Sequence, residues 1–85
     1  MWYNGLNLQI GDLYMEFSYK KLWILLAENT MKKKDLKEKA HLTSTTLARL
    51  SKNEPVSMEA LGKICLVFKC NIGDIVDVIF DEEEI

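Results

Sequence analysis

Arg49 is the side chain of this sequence best suited to reading a polar edge. Its planar guanidinium fork matches the O6 and N7 acceptors of guanine, and such a bidentate contact discriminates by about 1–3 kcal/mol. One helical turn earlier stand Ser44 and Thr45, whose short hydroxyls donate or accept and whose threonine methyl can pack on a thymine methyl. Nearby are Lys32, Lys33 and Lys52, point charges without directional preference. Their chemistry is counterion release from a phosphate backbone, a slope of about −0.9 per phosphate in the salt dependence. The competing use of Arg49 is a surface ion pair with Asp35 or Glu38. For the hydroxyls it is helix capping and solubility.

These groups share one surface only if residues 31–53 fold as two short helices joined by a tight turn. The first, about Lys32 to Ala40, turns Leu36 and Ala40 inward at i, i+4. His41-Leu42 makes the turn, with Leu42 inward, and Thr43 is a good N-cap for the next helix, whose inner face is Leu47 and Leu50. That is the layout of a helix-turn-helix, in which the second helix lies in the DNA major groove with its first residues at base edges. The N-terminus of the preceding helix offers free amides and a positive dipole end to a phosphate.

The flanking segments supply the packing. Tyr19, Leu22, Trp23 and Leu26 repeat at i, i+3, i+4, i+7, so a helix runs from an N-cap at Ser18 to a stop at Asn29. Pro55 breaks helix at Glu54, and Ser57 caps a helix carrying Met58, Leu61, Ile64, Cys65 and Phe68 inward. Asn71 opens a last helix, with Asp74 in its first turn and a stripe of Ile72, Ile75, Val76 and Ile79. Residues 1–14 form a separate extension. Leu6-Asn7-Leu8-Gln9-Ile10 alternates like a half-buried strand, and no partner strand is evident downstream. It either pairs with the same segment of a second subunit or is a disordered leader. Residues 81–85 are a solvated acidic tail. The expected fold class is all-α, five helices over 15–80, with a short N-terminal β-strand as an option.

The net charge of −2 conceals a polarised chain. Residues 18–53 carry nine bases against three acids, net +6, whereas residues 54–85 carry two bases against eight acids, net −6. The basic half coincides with the helix-turn-helix, where a phosphate backbone could approach, although a lysine run is also the ordinary composition of a solvated helix face. No apolar run approaches the roughly 18 residues of a membrane span, and the N-terminus lacks a basic n-region and cleavage site. Cys65 and Cys70 fit no metal-ligand spacing, and Cys65 falls on an apolar helix side. The expectation is a reduced, cytoplasmic protein with no metal and no cofactor. One histidine, no glycine-rich phosphate loop and no convergent carboxylates argue against an enzyme.

This pattern resembles the lambda-repressor-like (Cro- or XRE-type) helix-turn-helix family of bacterial and phage regulators. The likeness runs from about Tyr19 to Ile79. It is carried by the stretch Lys32–Leu50, the loop Ser51–Val56, the helix Ser57–Phe68 and the close Lys69–Ile75. It is most similar to the small stand-alone members that begin Ser-Tyr-Lys-Lys-Leu-Trp (from Ser18) and contain Met-Lys-Lys-Lys-Asp-Leu (from Met31), a group that includes a regulator associated with vancomycin-resistance operons.

The resemblance implies double-stranded DNA as partner, with base contacts at Ser44, Thr45 and Arg49. It implies phosphate contacts at Lys32, Lys33, Thr43, Thr46, Lys52 and Asn53. Two positions depart from the family pattern. His41 stands where glycine is usual at the turn, so it takes a left-handed backbone or the turn changes; Lys37 replaces a small residue in the first helix of the motif. Family members commonly dimerise, and the last helix, the Leu6–Ile10 strand or the apolar pair Ile79-Phe80 could supply the contact, unless these residues finish the monomer core. The resulting expectation is a homodimeric, sequence-specific transcriptional regulator, a repressor by preference. The alternative is a protein-interaction module of the same fold, an antitoxin or modulator acting through the acidic half.

Overall fold

The computed structural model describes residues 15–80. The expected leader at 1–14, with its Leu6–Ile10 strand, and the acidic tail at 81–85 lie outside the described residues. In chain order the elements are β1 (Met15–Ser18), α1 (Lys20–Glu28), α2 (Lys33–Lys39), α3 (Ser44–Ser51), α4 (Met58–Phe68) and β2 (Asp77–Phe80), with one 3-10 turn at Ile72–Asp74.

The helical periodicity selects the core. Leu22 and Leu26 of α1, Leu36 of α2, Leu50 of α3 and Leu61 and Ile64 of α4 converge with Tyr19, Ala40, Leu42, Ala60 and Ile75 into one cluster. The N-caps at Thr43 and Ser57 form as expected, their hydroxyls accepting the N–H of Thr46 at 3.1 Å and of Ala60 at 3.0 Å. Ser18 is displaced from the cap of α1 by one residue. Tyr19 occupies that position, and Ser18 Oγ accepts the Lys20 N–H at 3.3 Å. On α4 the expected inward face is only partly buried, because Met58 is 68% exposed.

The expected last helix is corrected. Among the described residues there are four α-helices, not five, and the segment after Asn71 makes a single 3-10 turn followed by β2. Ile75, Val76, Val78 and Ile79 are β-branched, which favours a pleated strand once a partner is available. That partner is β1, which pairs antiparallel with β2 in the register Met15↔Phe80, Glu16↔Ile79, Phe17↔Val78, Ser18↔Asp77. A downstream strand therefore does exist, and it pairs within the chain. Ile75 stays in the core as expected, whereas Ile79 faces outward at 44% exposure. Lys21 ties α1 to this end of the fold, its Nζ lying 3.0 Å from Asp77 Oδ1 and donating to the Gly73 carbonyl at 3.0 Å.

All four helices end alike, and none uses glycine. Thr30, His41, Asn53 and Lys69 take left-handed backbones with φ of 56°, 56°, 59° and 54°. Each lets the following N–H reach back to a carbonyl of the last turn: Met31 to Leu26 at 2.8 Å, Leu42 to Lys37 at 2.9 Å, Glu54 to Arg49 at 2.9 Å and Cys70 to Cys65 at 3.1 Å. This six-to-one closure is the Schellman motif, and the left-handed residue is strained wherever it carries a Cβ. His41 thus adopts the conformation usual for glycine at the turn, and the motif keeps its tight geometry.

Candidate nucleic-acid interface

The phase of α3 is set by its inner side. Leu50 is fully buried and Leu47 half-buried, which leaves Ser44, Thr45, Ala48 and Arg49 exposed on one face. Among the described residues Arg49 makes no ion pair; the only two pairs within 4.0 Å are Lys21–Asp77 and Lys63–Glu59. The alternative partners Asp35 and Glu38 do not engage it. A guanidinium held on a helix face, with two hydroxyls one turn away and no carboxylate neutralising it, retains its full donor fork for an external edge.

The cations around α3 are positioned differently from one another. Lys33, the first residue of α2, lies with Nζ 4.3 Å from the centroid of the Trp23 ring and donates to Ser51 Oγ at 3.1 Å. The ring face and the hydroxyl fix the ammonium where α1, α2 and the end of α3 meet, an attraction of about 0.5–1 kcal/mol at an exposed site. A lysine ammonium has three donors, so capacity remains for an anion. Lys32 and Lys52 are exposed, and among the described residues neither ammonium is held in an ion pair. The N-terminus of α2 is already partly occupied, since Asp35 Oδ2 accepts the Lys32 N–H at 2.9 Å.

Three further expected residues have structural duties. Thr43 Oγ1, besides capping, donates to Thr46 Oγ1 at 3.0 Å, so these two hydroxyls face each other at the start of α3. Asn53 Oδ1 accepts the Tyr19 N–H at 3.4 Å. Tyr19 in turn donates its phenol to the Glu54 carbonyl at 2.7 Å, and its burial pushes the phenol pKa up. Tyr19 and Asn53 together clamp the loop that follows α3 against the start of α1.

Sequence reasoning missed four participants. Ala48 shares the exposed face with Arg49 and offers a methyl to a thymine. Trp23, read as a core residue, is half-buried and serves as the platform under Lys33, with Ser51 beside it. Lys34 extends the exposed cationic edge of α2. Only Ala48 was recoverable from sequence, because it lies at i+4 from Ser44. Among the described residues no group of three or more His, Cys, Asp or Glu side chains is placed to hold a metal ion. No described helix is long and apolar enough to cross a membrane.

A family model described as a Cro/C1-type HTH DNA-binding domain matches residues 21–81. No curated protein matches the chain at a significant level. Among solved structures, the crystal structure of the transcriptional regulator VanUg (Form II) is similar, at 38% identity and a TM-score of 0.77, over 93% of this chain and 100% of that one.

Proposed function

This chain belongs to the family of Cro/C1-type helix-turn-helix DNA-binding domains, and on that premise we propose that it is a transcriptional repressor that binds double-stranded DNA as a homodimer. The likeness to VanUg, a transcriptional regulator, supports the regulatory role. Arg49, Ser44 and Thr45 contact base edges in the major groove, and α3 is the recognition helix. Lys32, Lys33 and Lys52 neutralise flanking phosphates, while Thr46 and Asn53 donate to the backbone at the two ends of α3 and Thr43 lies against the same phosphate, its own hydroxyl proton given to Thr46 Oγ1. Repression follows from occluding a promoter, which requires only tight seating in the groove. The setting is the cytoplasm.

The observation that carries this proposal is the exposed, unpaired Arg49 on one face with Ser44 and Thr45. A second function, docking of a protein partner on the C-terminal half, draws support from the exposed apolar side chains Met58 and Leu66 of α4, at 68% and 74% exposure. Selection of bound sequences from a pool of randomised duplexes separates the two. A DNA reader enriches a near-palindromic site with half-sites one helical turn apart, and an Arg49→Glu variant enriches none. An unenriched pool with the wild-type protein would remove sequence-specific DNA binding and leave the partner function.

A further inference from the structure

Each helix close sets two residues against one another, and at the end of α4 both are cysteines. In the Schellman motif the residue after the left-handed one donates its N–H to the carbonyl five residues back, and their side chains commonly meet. At the end of α1 those two seats hold the apolar pair Leu26 and Met31, with the N–H of Met31 2.8 Å from the Leu26 carbonyl. At the end of α4 they hold Cys65 and Cys70, bonded at 3.1 Å across the left-handed Lys69. Both thiols are free and half-buried against the core. The Cys70 pKa is raised, first by burial, then by the charge of Cys65, a hydrogen bond with it and the charge of Asp74. Thiols that share a hydrogen bond are in contact.

We infer that Cys65 and Cys70 are a redox modification site, joined reversibly as an intrachain disulfide when a small-molecule disulfide is the oxidant. The inference stands apart from the DNA reading. A disulfide needs Cα atoms within about 7 Å and converging side chains. The backbone bond between the two residues supplies the first and the contact of their thiols the second. The Cys65 thiolate attacks one sulfur of the small disulfide, whose S–S bond breaks, and a small thiolate leaves. Cys70 then releases its proton to solvent and attacks Cys65 Sγ, expelling the second small thiolate. The chain gives up two electrons and two protons, and the small disulfide becomes two thiols.

The cross-link would staple a junction. Cys70 directly precedes Asn71, whose N–H donates to Asp74 Oδ2 at 2.9 Å and starts the 3-10 turn. That turn offers the Gly73 carbonyl to Lys21 and leads through the buried Ile75 into β2. A covalent bond across Lys69 therefore holds the approach to the ribbon against α4. It also removes open conformations from the unfolded chain, which stabilises the fold. The site lies at the end of α4 remote from Ser57 and Glu59, which share a cleft with Thr43 and Thr46 of the reading surface. In a reducing compartment such a bond forms only transiently, on an oxidative challenge.

The test equilibrates the full chain in graded mixtures of oxidised and reduced glutathione, traps the thiols with acid, and reads intact mass, peptide linkage and melting temperature. The expected product is a chain lighter by two hydrogens and linked from Cys65 to Cys70. It should melt about 5 °C or more above the reduced chain and revert with dithiothreitol. Cys70→Ser is expected to halt one glutathione heavier, at Cys65, and to lose the rise in melting temperature. Circular dichroism of the untreated variant checks that it folds. Thiols that stay reduced throughout, glutathione on both cysteines without a link, or links only between chains would each overturn the site. A Cys65–Cys70 link that lowers the melting temperature would overturn the staple.

Discussion

Helices α3 and α4 begin alike and end alike, yet present opposite surfaces. Each is capped by a hydroxyl that accepts the N–H three residues on, and each closes with a left-handed residue that bears a side chain. Each buries a leucine or isoleucine completely, Leu50 and Ile64. Outward, α3 shows hydroxyls, a methyl and an unpaired guanidinium, whereas α4 shows methionine, glycine and leucine. Identical backbone devices thus carry two kinds of recognition. Polar groups of fixed geometry suit a wet, hydrogen-bonding edge. An apolar stripe around a glycine suits a surface from which water is excluded.

The shared inner faces give the largest expected effects and should not distinguish the helices. Leu50→Ala and Ile64→Ala each remove a fully buried side chain and are expected to cost about 2–5 kcal/mol in urea unfolding. A marked inequality would mean that one helix is peripheral to the core.

The loop between the helices is held by Tyr19, whose phenol donates to the Glu54 carbonyl. Tyr19→Phe is expected to cost about 1–2 kcal/mol, since a partly buried acceptor loses its donor. The phenol pKa is raised in the folded state by burial, above its ordinary value near 10. The unfolded chain therefore releases the proton first as pH rises. The stability due to the neutral phenol is present below pH 10 and lost as pH climbs through the folded-state pKa. Melting temperatures between pH 9 and 11 should fall less steeply in Tyr19→Phe.

The caps come next and break the symmetry in function. Thr43→Ala and Ser57→Ala are each expected to cost about 1 kcal/mol of stability. Only the first should also weaken DNA binding, because its hydroxyl stands at the start of α3. Smallest are the helix ends. Thr30→Gly relieves a β-branched residue of a left-handed backbone and is expected to raise stability by about 1 kcal/mol in thermal unfolding.

The outer face of α3 was legible from sequence because local signals set its phase: a threonine cap, then leucines at Leu47 and Leu50. What escaped is non-local or unmarked. Ile72, Ile75, Val76 and Ile79 fit a helical stripe, but strand or helix in so short a run is decided by the partner, and β1 lies far away in sequence. The ends at Asn29 and His41 were legible, but the left-handed residues Thr30 and Lys69 were not, because a threonine and a lysine stand where glycine usually announces such a close. The Lys33–Trp23 contact depends on how α2 crosses α1, which no spacing within either helix encodes. The outward position of Met58 also escaped, because helical spacing set it with Leu61, Ile64, Cys65 and Phe68 on the inward face of α4.

The central claim, that α3 reads DNA sequence through Arg49, is tested most directly by fluorescence anisotropy. Wild type and Arg49→Ala would be titrated against a duplex spanning the chain's own promoter and against a scrambled duplex, across a salt series. The expected result is tight wild-type binding to the promoter alone, with discrimination reduced by about 1–3 kcal/mol in Arg49→Ala and weak, steeply salt-dependent binding remaining on both duplexes. Equal wild-type affinity for both duplexes, unchanged by the substitution, would contradict it.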